Sequence, residues 1–114
     1  MLTEIRPWGQ YTIIGSGDGY QIKLIVINPN SRLSLQSHKH RAERWYIIEG
    51  TPMVNIKGRE FPISAGSAVN IPIGGVHRIG ATNETVKFIE IQTGDYFGED
   101  DIERFEDDFG RVND

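Results

Sequence analysis

Short runs of β-branched and aromatic residues, each closed by Gly, Pro, Asn or Asp, set the strongest limit on how this chain can fold. Tyr20 to Asn28 reads Tyr-Gln-Ile-Lys-Leu-Ile-Val-Ile-Asn and stops at Pro29-Asn30-Ser31. Trp45 to Glu49 stops at Gly50-Thr51-Pro52, Met53 to Lys57 at Gly58-Arg59, and Val86 to Gln92 at Thr93-Gly94-Asp95. Tyr11 to Gly15, Arg32 to His38, Glu60 to Ile63 and Ser67 to Ile71 fill the intervals. Runs of this length and composition between turn residues are strands, so the spacing predicts an all-β chain. Apolar residues at both parities near the end of the Tyr20 run predict a strand buried between two sheets. With 114 residues the chain makes one domain.

Charge is uneven along the chain. Residues 99–114 hold eight of the sixteen acids against Arg104 and Arg111. Residues 1–98 keep ten Lys and Arg against eight Asp and Glu, a balance of +2. A mildly basic body suits an anionic small molecule. No dense basic patch with interleaved aromatics occurs, so nucleic acid is not an expected partner. There is no cysteine to form a disulfide, no apolar leader segment, and no apolar run of membrane-spanning length. A cytoplasmic protein without membrane contact is expected. Gly15-Ser16-Gly17-Asp18-Gly19 is a turn rather than a phosphate-cradling loop, because no helix pattern follows it. In the acidic tail, Ile102, Phe105 and Phe109 are three and four apart, which predicts one short amphipathic helical turn packing on the sheet.

Chemistry is concentrated between residues 36 and 43, Gln36-Ser37-His38-Lys39-His40-Arg41-Ala42-Glu43, which holds two of the three histidines. Residues two apart on a strand share a face, so Gln36 and His38 project together. With Arg41-Ala42 in a turn, Glu43 opens the returning antiparallel strand and faces them across a hairpin. The third histidine, His77, follows Pro72-Ile73-Gly74-Gly75 and is the candidate by type for a fourth ligand. Imidazole, carboxylate and amide oxygen suit one divalent ion of the Zn, Fe, Mn, Co or Ni group. His40 continues the parity of His38 and is an alternative ligand to Gln36. It otherwise serves as an acid–base group, since imidazole titrates near neutrality. Glu49 shares the parity of Glu43 and is a second inward-facing candidate. Arg6 could reach an anion, though a solvent-facing arginine is the plainer reading.

The spacing matches two motifs of the cupins. Asn30, Gln36, His38, Glu43 and Gly50 fit G-x5-H-x-H-x3,4-E-x6-G, with Asn and Gln replacing the first Gly and the first His. Asn tolerates the positive φ that the Gly position asks for. Gly66, Pro72, Gly74 and His77 fit G-x5-P-x-G-x2-H-x3-N, with Ala81 at the last position. The Gln points to one branch: the chain resembles the cupin domain of type II mannose-6-phosphate isomerases. That domain is often the C-terminal part of a bifunctional isomerase–guanylyltransferase. Arg6-Pro7-Trp8-Gly9, Leu33-Ser34-Leu35-Gln36, His40-Arg41-Ala42-Glu43, Ile71-Pro72, His77-Arg78 and Gly98-Glu99-Asp100-Asp101-Ile102 carry the resemblance.

The resemblance implies a single-domain cupin, a jelly-roll (double-stranded β-helix) barrel. Its core would span about residues 6–98, with the acidic segment 99–114 packed on it. It implies Gln36, His38, Glu43 and His77 as ligands of one metal, usually zinc. It implies aldose–ketose isomerisation of mannose 6-phosphate and fructose 6-phosphate; Arg78 from the family match, and His40 and Glu49 from their parity, are the catalytic candidates, with a structural or hydrogen-bonding role the plainer reading of Glu49. Lys23, Arg78 and Arg104 would contact the phosphorylated sugar. Arg44 stands where the family commonly has His, but strand parity turns it away from the ligand side. Edge strands of such barrels often pair, so a homodimer is expected. The length leads us to expect a domain standing alone, without the transferase half. An iron dioxygenase and a non-catalytic sugar-binding or regulatory cupin are the other functions compatible with these motifs.

Overall fold

The computed structural model describes residues 2–112, so the expected tail 99–114 ends on two residues outside them. The described residues form β1 (Leu2–Arg6), β2 (Gly9–Gly17), β3 (Tyr20–Ile27), β4 (Leu35–Ser37), β5 (Arg41–Glu49), β6 (Met53–Ile56), β7 (Arg59–Pro62), β8 (Ala68–Ile71), β9 (His77–Gly80), β10 (Val86–Gly94) and β11 (Glu103–Glu106). One sheet has six strands in the order β1-β2-β3-β10-β5-β8, the other five in the order β11-β4-β9-β6-β7. Neighbouring strands are antiparallel. The all-β expectation holds.

The inner face of the larger sheet changes character along its length, and this positions the site. β3 presents Ile27, Ile25 and then Lys23; β10 presents Val86, Phe88 and then Glu90 and Gln92; β5 presents Ile47, Trp45 and then Glu43 and Arg41. Register sets these changes level. Phe88 lies between Ile25 and Ile47, Glu90 between Lys23 and Trp45, and Gln92 opposite Glu43. Three adjacent strands thus divide the interior into a hydrocarbon base and an ionic mouth. Trp8, Val54, Ile71 and Ile79 complete the base. Each large apolar side chain buried there contributes about 1.5–3 kcal/mol, which offsets the cost of burying ionisable groups above it.

Four local expectations are corrected. Gln36 and Glu43 do not face each other across a hairpin: β4 and β5 lie in different sheets. Arg41 and Ala42 are strand residues paired with Gly94 and Thr93, so the chain bends at Lys39 and His40 instead. The Asp101 carboxylate holds that bend by accepting both main-chain N–H groups at 2.9 Å. In the tail, Glu103–Glu106 is a strand rather than a helical turn, because the open edge of β4 offers hydrogen bonds that a helix would leave unmade. Finally, Ile22, Leu24 and Val26 alternate with the buried residues of β3 and are half-buried on its outer side, so β3 is not enclosed on both faces.

Candidate metal centre

His38, Glu43 and His77 come from three elements and meet at the boundary between base and mouth. His38 stands just past the end of β4, Glu43 points inward from β5, and His77 opens β9. The histidines are 3% exposed and the glutamate 4%. One ligand atom from each lies within 4.8 Å of the other two. His38 Nε2 is 3.1 Å from Glu43 Oε2, and His77 Nε2 is 3.6 Å from Glu43 Oε1.

Local chain geometry presents each ring correctly. Gly74 adopts φ 79°, a left-handed turn that favours glycine. Its N–H donates to His38 O at 2.8 Å, tying the loop before His77 to the first ligand. His77 Nδ1 lies 2.8 Å from Gly75 O, and His38 Nδ1 lies 2.6 Å from Asp101 O. A carbonyl only accepts, so each Nδ1 carries a hydrogen and each ring turns its Nε2 toward Glu43. Two lone pairs and a carboxylate facing one another repel unless a proton or a cation lies among them. The donor set therefore fits a divalent metal ion, held by imidazoles oriented from behind. Gln36 pairs with His77 across the sheet and lines the same mouth. Its amide N–H donates to Ser34 Oγ at 3.0 Å and Ser34 O at 3.3 Å, which leaves the amide oxygen as the end a metal can take.

A second carboxyl lies behind Glu43. Trp45 Nε1 donates to Glu43 Oε1 at 3.1 Å and to Glu90 Oε1 at 3.2 Å. Gln92 donates to Glu90 at 2.9 Å and accepts from Gln21 at 3.0 Å. Burial alone would raise Glu43, but the adjoining His38 and His77 outweigh it and hold that carboxyl well below its usual value. Burial, and then the charge on Glu43, push Glu90 well above its usual value. Burial lowers His77, against the opposing charge of Glu43.

The other candidates are placed as follows. Lys23 and Arg104 line the mouth, Arg104 paired in register with Gln36. Arg78 points the other way from His77: its guanidinium donates to Leu33 O at 2.9 Å and pairs with Glu106 at 3.1 Å, fastening β11. His40 is exposed, with Nδ1 3.4 Å from Asp95 Oδ1. Glu49 is six residues beyond Glu43 on β5, about 20 Å along the strand, and it faces Lys87 at 4.0 Å. Sequence reading missed Glu90, Arg41, Glu99 and Asp101. Glu90 has the parity of Phe88 in an alternating strand, which was a usable signal. Glu99 and Asp101 lie in the Gly98-Glu99-Asp100-Asp101-Ile102 segment that carries the resemblance, which was a signal of importance but not of role.

A family model described as mannose-6-phosphate isomerase C-terminal matches residues 2–107. The alginate biosynthesis protein AlgA of Pseudomonas aeruginosa is 44% identical over 108 residues, covering 94% of this chain and 22% of its own length. The mannose-1-phosphate guanylyltransferase ManC of Salmonella typhimurium is 41% identical, covering 94% and 22%. The chain thus spans about a fifth of these relatives. Among solved structures, the capsular polysaccharide assembling protein CapF of Staphylococcus aureus superposes with a TM-score of 0.79 at 19% identity, covering 93% of this chain and 32% of that one. A cupin-2 domain of Rhodospirillum rubrum gives 0.69 at 19% identity, covering 81% and 67%. These likenesses establish the cupin fold.

Proposed function

The chain belongs to the mannose-6-phosphate isomerase C-terminal family, and on that premise we propose that it is a metal-dependent isomerase interconverting mannose 6-phosphate and fructose 6-phosphate. One observation carries the reading: two imidazoles and a carboxylate converge below a mouth lined by basic side chains. His38, Glu43 and His77 would hold the ion, with Gln36 as fourth ligand, and zinc is the proposed metal. When bound, the metal supplies a Lewis acid that polarises the sugar carbonyl and stabilises the oxyanion of an enediol-like transition state. Lys23 and Arg104 contact the phosphorylated sugar from the rim. Arg78, His40 and Glu49 are not given these roles, because their side chains are engaged elsewhere. Proton transfer between C1 and C2 falls instead to Glu90, a carboxyl lining the mouth that is not a ligand. Exposed Leu2 and Ile5 on the edge strand β1 support a homodimer, which light scattering would read directly.

The test is fructose 6-phosphate formation from mannose 6-phosphate by metal-stripped protein given Zn²⁺, Co²⁺, Mn²⁺ or Fe²⁺ in turn. Turnover restored by metal and absent in His38→Ala is the expected result. Metal binding without turnover for any ion would overturn it.

A further inference from the structure

The rim holds an arrangement that the metal centre does not explain. Lys23 is 4% exposed, with Nζ 4.1 Å from the centre of the Tyr11 ring and 3.0 Å from Glu99 Oε2. Arg6 NH2 lies 3.9 Å from Glu99 Oε1 and donates to Tyr11 Oη at 3.2 Å. Arg41 is 5% exposed. One of its nitrogens donates to Gly98 O at 3.1 Å, but its buried Nε–H makes no hydrogen bond. That N–H is 3.5 Å from Glu43 Oε2, so Arg41 bridges the rim to the metal triad.

Two cations therefore flank a carboxylate whose own side chain is 51% exposed, and Arg41 stands beside it on the neighbouring Gly98 carbonyl. Burying Lys23 is costly unless an anion accompanies it. Glu99 provides that anion from the solvent side. Burial alone would raise its pKa, but Lys23, Arg41 and Arg6 together hold it below the usual carboxylate range. The main chain around it is fastened separately. Gly98 O accepts from Asp101 N at 3.1 Å, the Asp101 carboxylate caps Lys39 and His40, and Asp101 O orients His38. The Glu99 side chain can swing into solvent while these contacts stay in place.

We propose that Arg6, Lys23 and Arg41 form the binding site for the phosphate of a phosphate monoester, and that the Glu99 carboxylate occupies this site as a displaceable stand-in until the substrate arrives. A phosphate monoester brings nearly two negative charges and three acceptor oxygens where a carboxylate brings one and two, so it outcompetes Glu99 for the same donors. Singly charged anions lack that advantage and are kept out. The occupancy presumes the substrate mouth proposed above, yet it is read without turnover, so the two can fail separately.

The experiment is calorimetric titration of the full chain with inorganic phosphate at 0.15 M NaCl, a salt level that screens remote charge on the order of 8 Å away. Glu99→Gln and Glu99→Ala are expected to bind phosphate about tenfold tighter than the natural protein. Glu84→Gln removes the same unit of charge from an exposed loop at the apolar end of the barrel and is expected to leave binding unchanged. Arg6→Gln in the Glu99→Gln background is expected to lose the gain. Phosphate binding that is absent throughout, or no tighter in either Glu99 variant, overturns the proposal. An equal gain in Glu84→Gln does so too, since it would reduce the effect to net charge. Tighter phosphate binding in protein with no turnover on mannose 6-phosphate would sink the isomerase reading and leave the anion site standing.

Discussion

At the floor of the mouth, the groups facing the cavity are each held from behind by another contact. His38 and His77 are backed by the carbonyls of Asp101 and Gly75, and Glu43 by the Trp45 indole. At the rim, Lys23 and Arg6 are balanced by one half-exposed carboxylate. The floor is therefore set when the chain folds, because its partners are main chain and packed side chains. The rim is set by charge pairing that another anion can replace. A ligand entering the mouth meets exchangeable partners first and fixed ones last.

The sharpest way to break the floor is to remove a ligand. His77→Ala is expected to weaken Zn²⁺ binding by more than the roughly 10–100-fold that loss of a ligand's orienting partner costs. Competition with a chromogenic chelator would measure it, and an unchanged affinity would refute the triad. Next comes the support behind the ligands. Trp45→Phe deletes the indole N–H shared by Glu43 and Glu90 and strands buried carboxylate oxygens, so stability should fall by about 1–3 kcal/mol in urea denaturation.

At the rim, Arg111 lines the mouth and is held by Asp107 through its main-chain N–H and guanidinium at 2.7–3.0 Å. These bonds, to the Arg111 side chain above all, lower Asp107 from its usual 3.8 to about 2. A carboxyl depressed on folding contributes stability above its unfolded pKa and loses it as pH falls through the folded one. Asp107→Asn should thus be less stable than the natural protein by about 1 kcal/mol at neutral pH. That gap should close between pH 3.8 and about 2. Equal gaps at pH 7 and pH 2 would contradict the pairing. The smallest effect is expected outside the mouth. Arg32 and Asp108 form a two-pronged pair at 2.7 and 2.9 Å, but both side chains are 44% exposed. Asp108→Asn should change stability by less than about 1 kcal/mol, and a larger loss would mean that the tail is anchored there rather than at Arg78.

Much of the floor was legible because its signals are local. Asn30 does take a left-handed φ of 59° at the position where the motif asks for glycine. The turn at Gly74 delivers His77 as its spacing suggests. What stayed hidden depends on which sheet a strand joins, and strand parity says nothing about that. Parity placed Glu49 on the face of Glu43, yet six residues of strand carry it to the other end of the barrel. Arg78 follows a ligand directly, but its guanidinium is drawn to a tail strand that sequence reading had as helix. The rim needed three distant segments, around residues 6, 23 and 99, to be brought together, and no periodicity reports such a meeting.

The hydrogen bond from His38 to Asp101 spans 63 residues of chain. At about 5–20 residues per second, a ribosome takes roughly 3–13 s to cover that interval. Throughout it, the first imidazole lacks the Asp101 carbonyl that settles its tautomer. The first imidazole is therefore aimed only after residue 101 is made, and a translation arrested shortly before it would yield a protein with both histidines and the carboxylate of the floor already synthesised but one ring still unaimed.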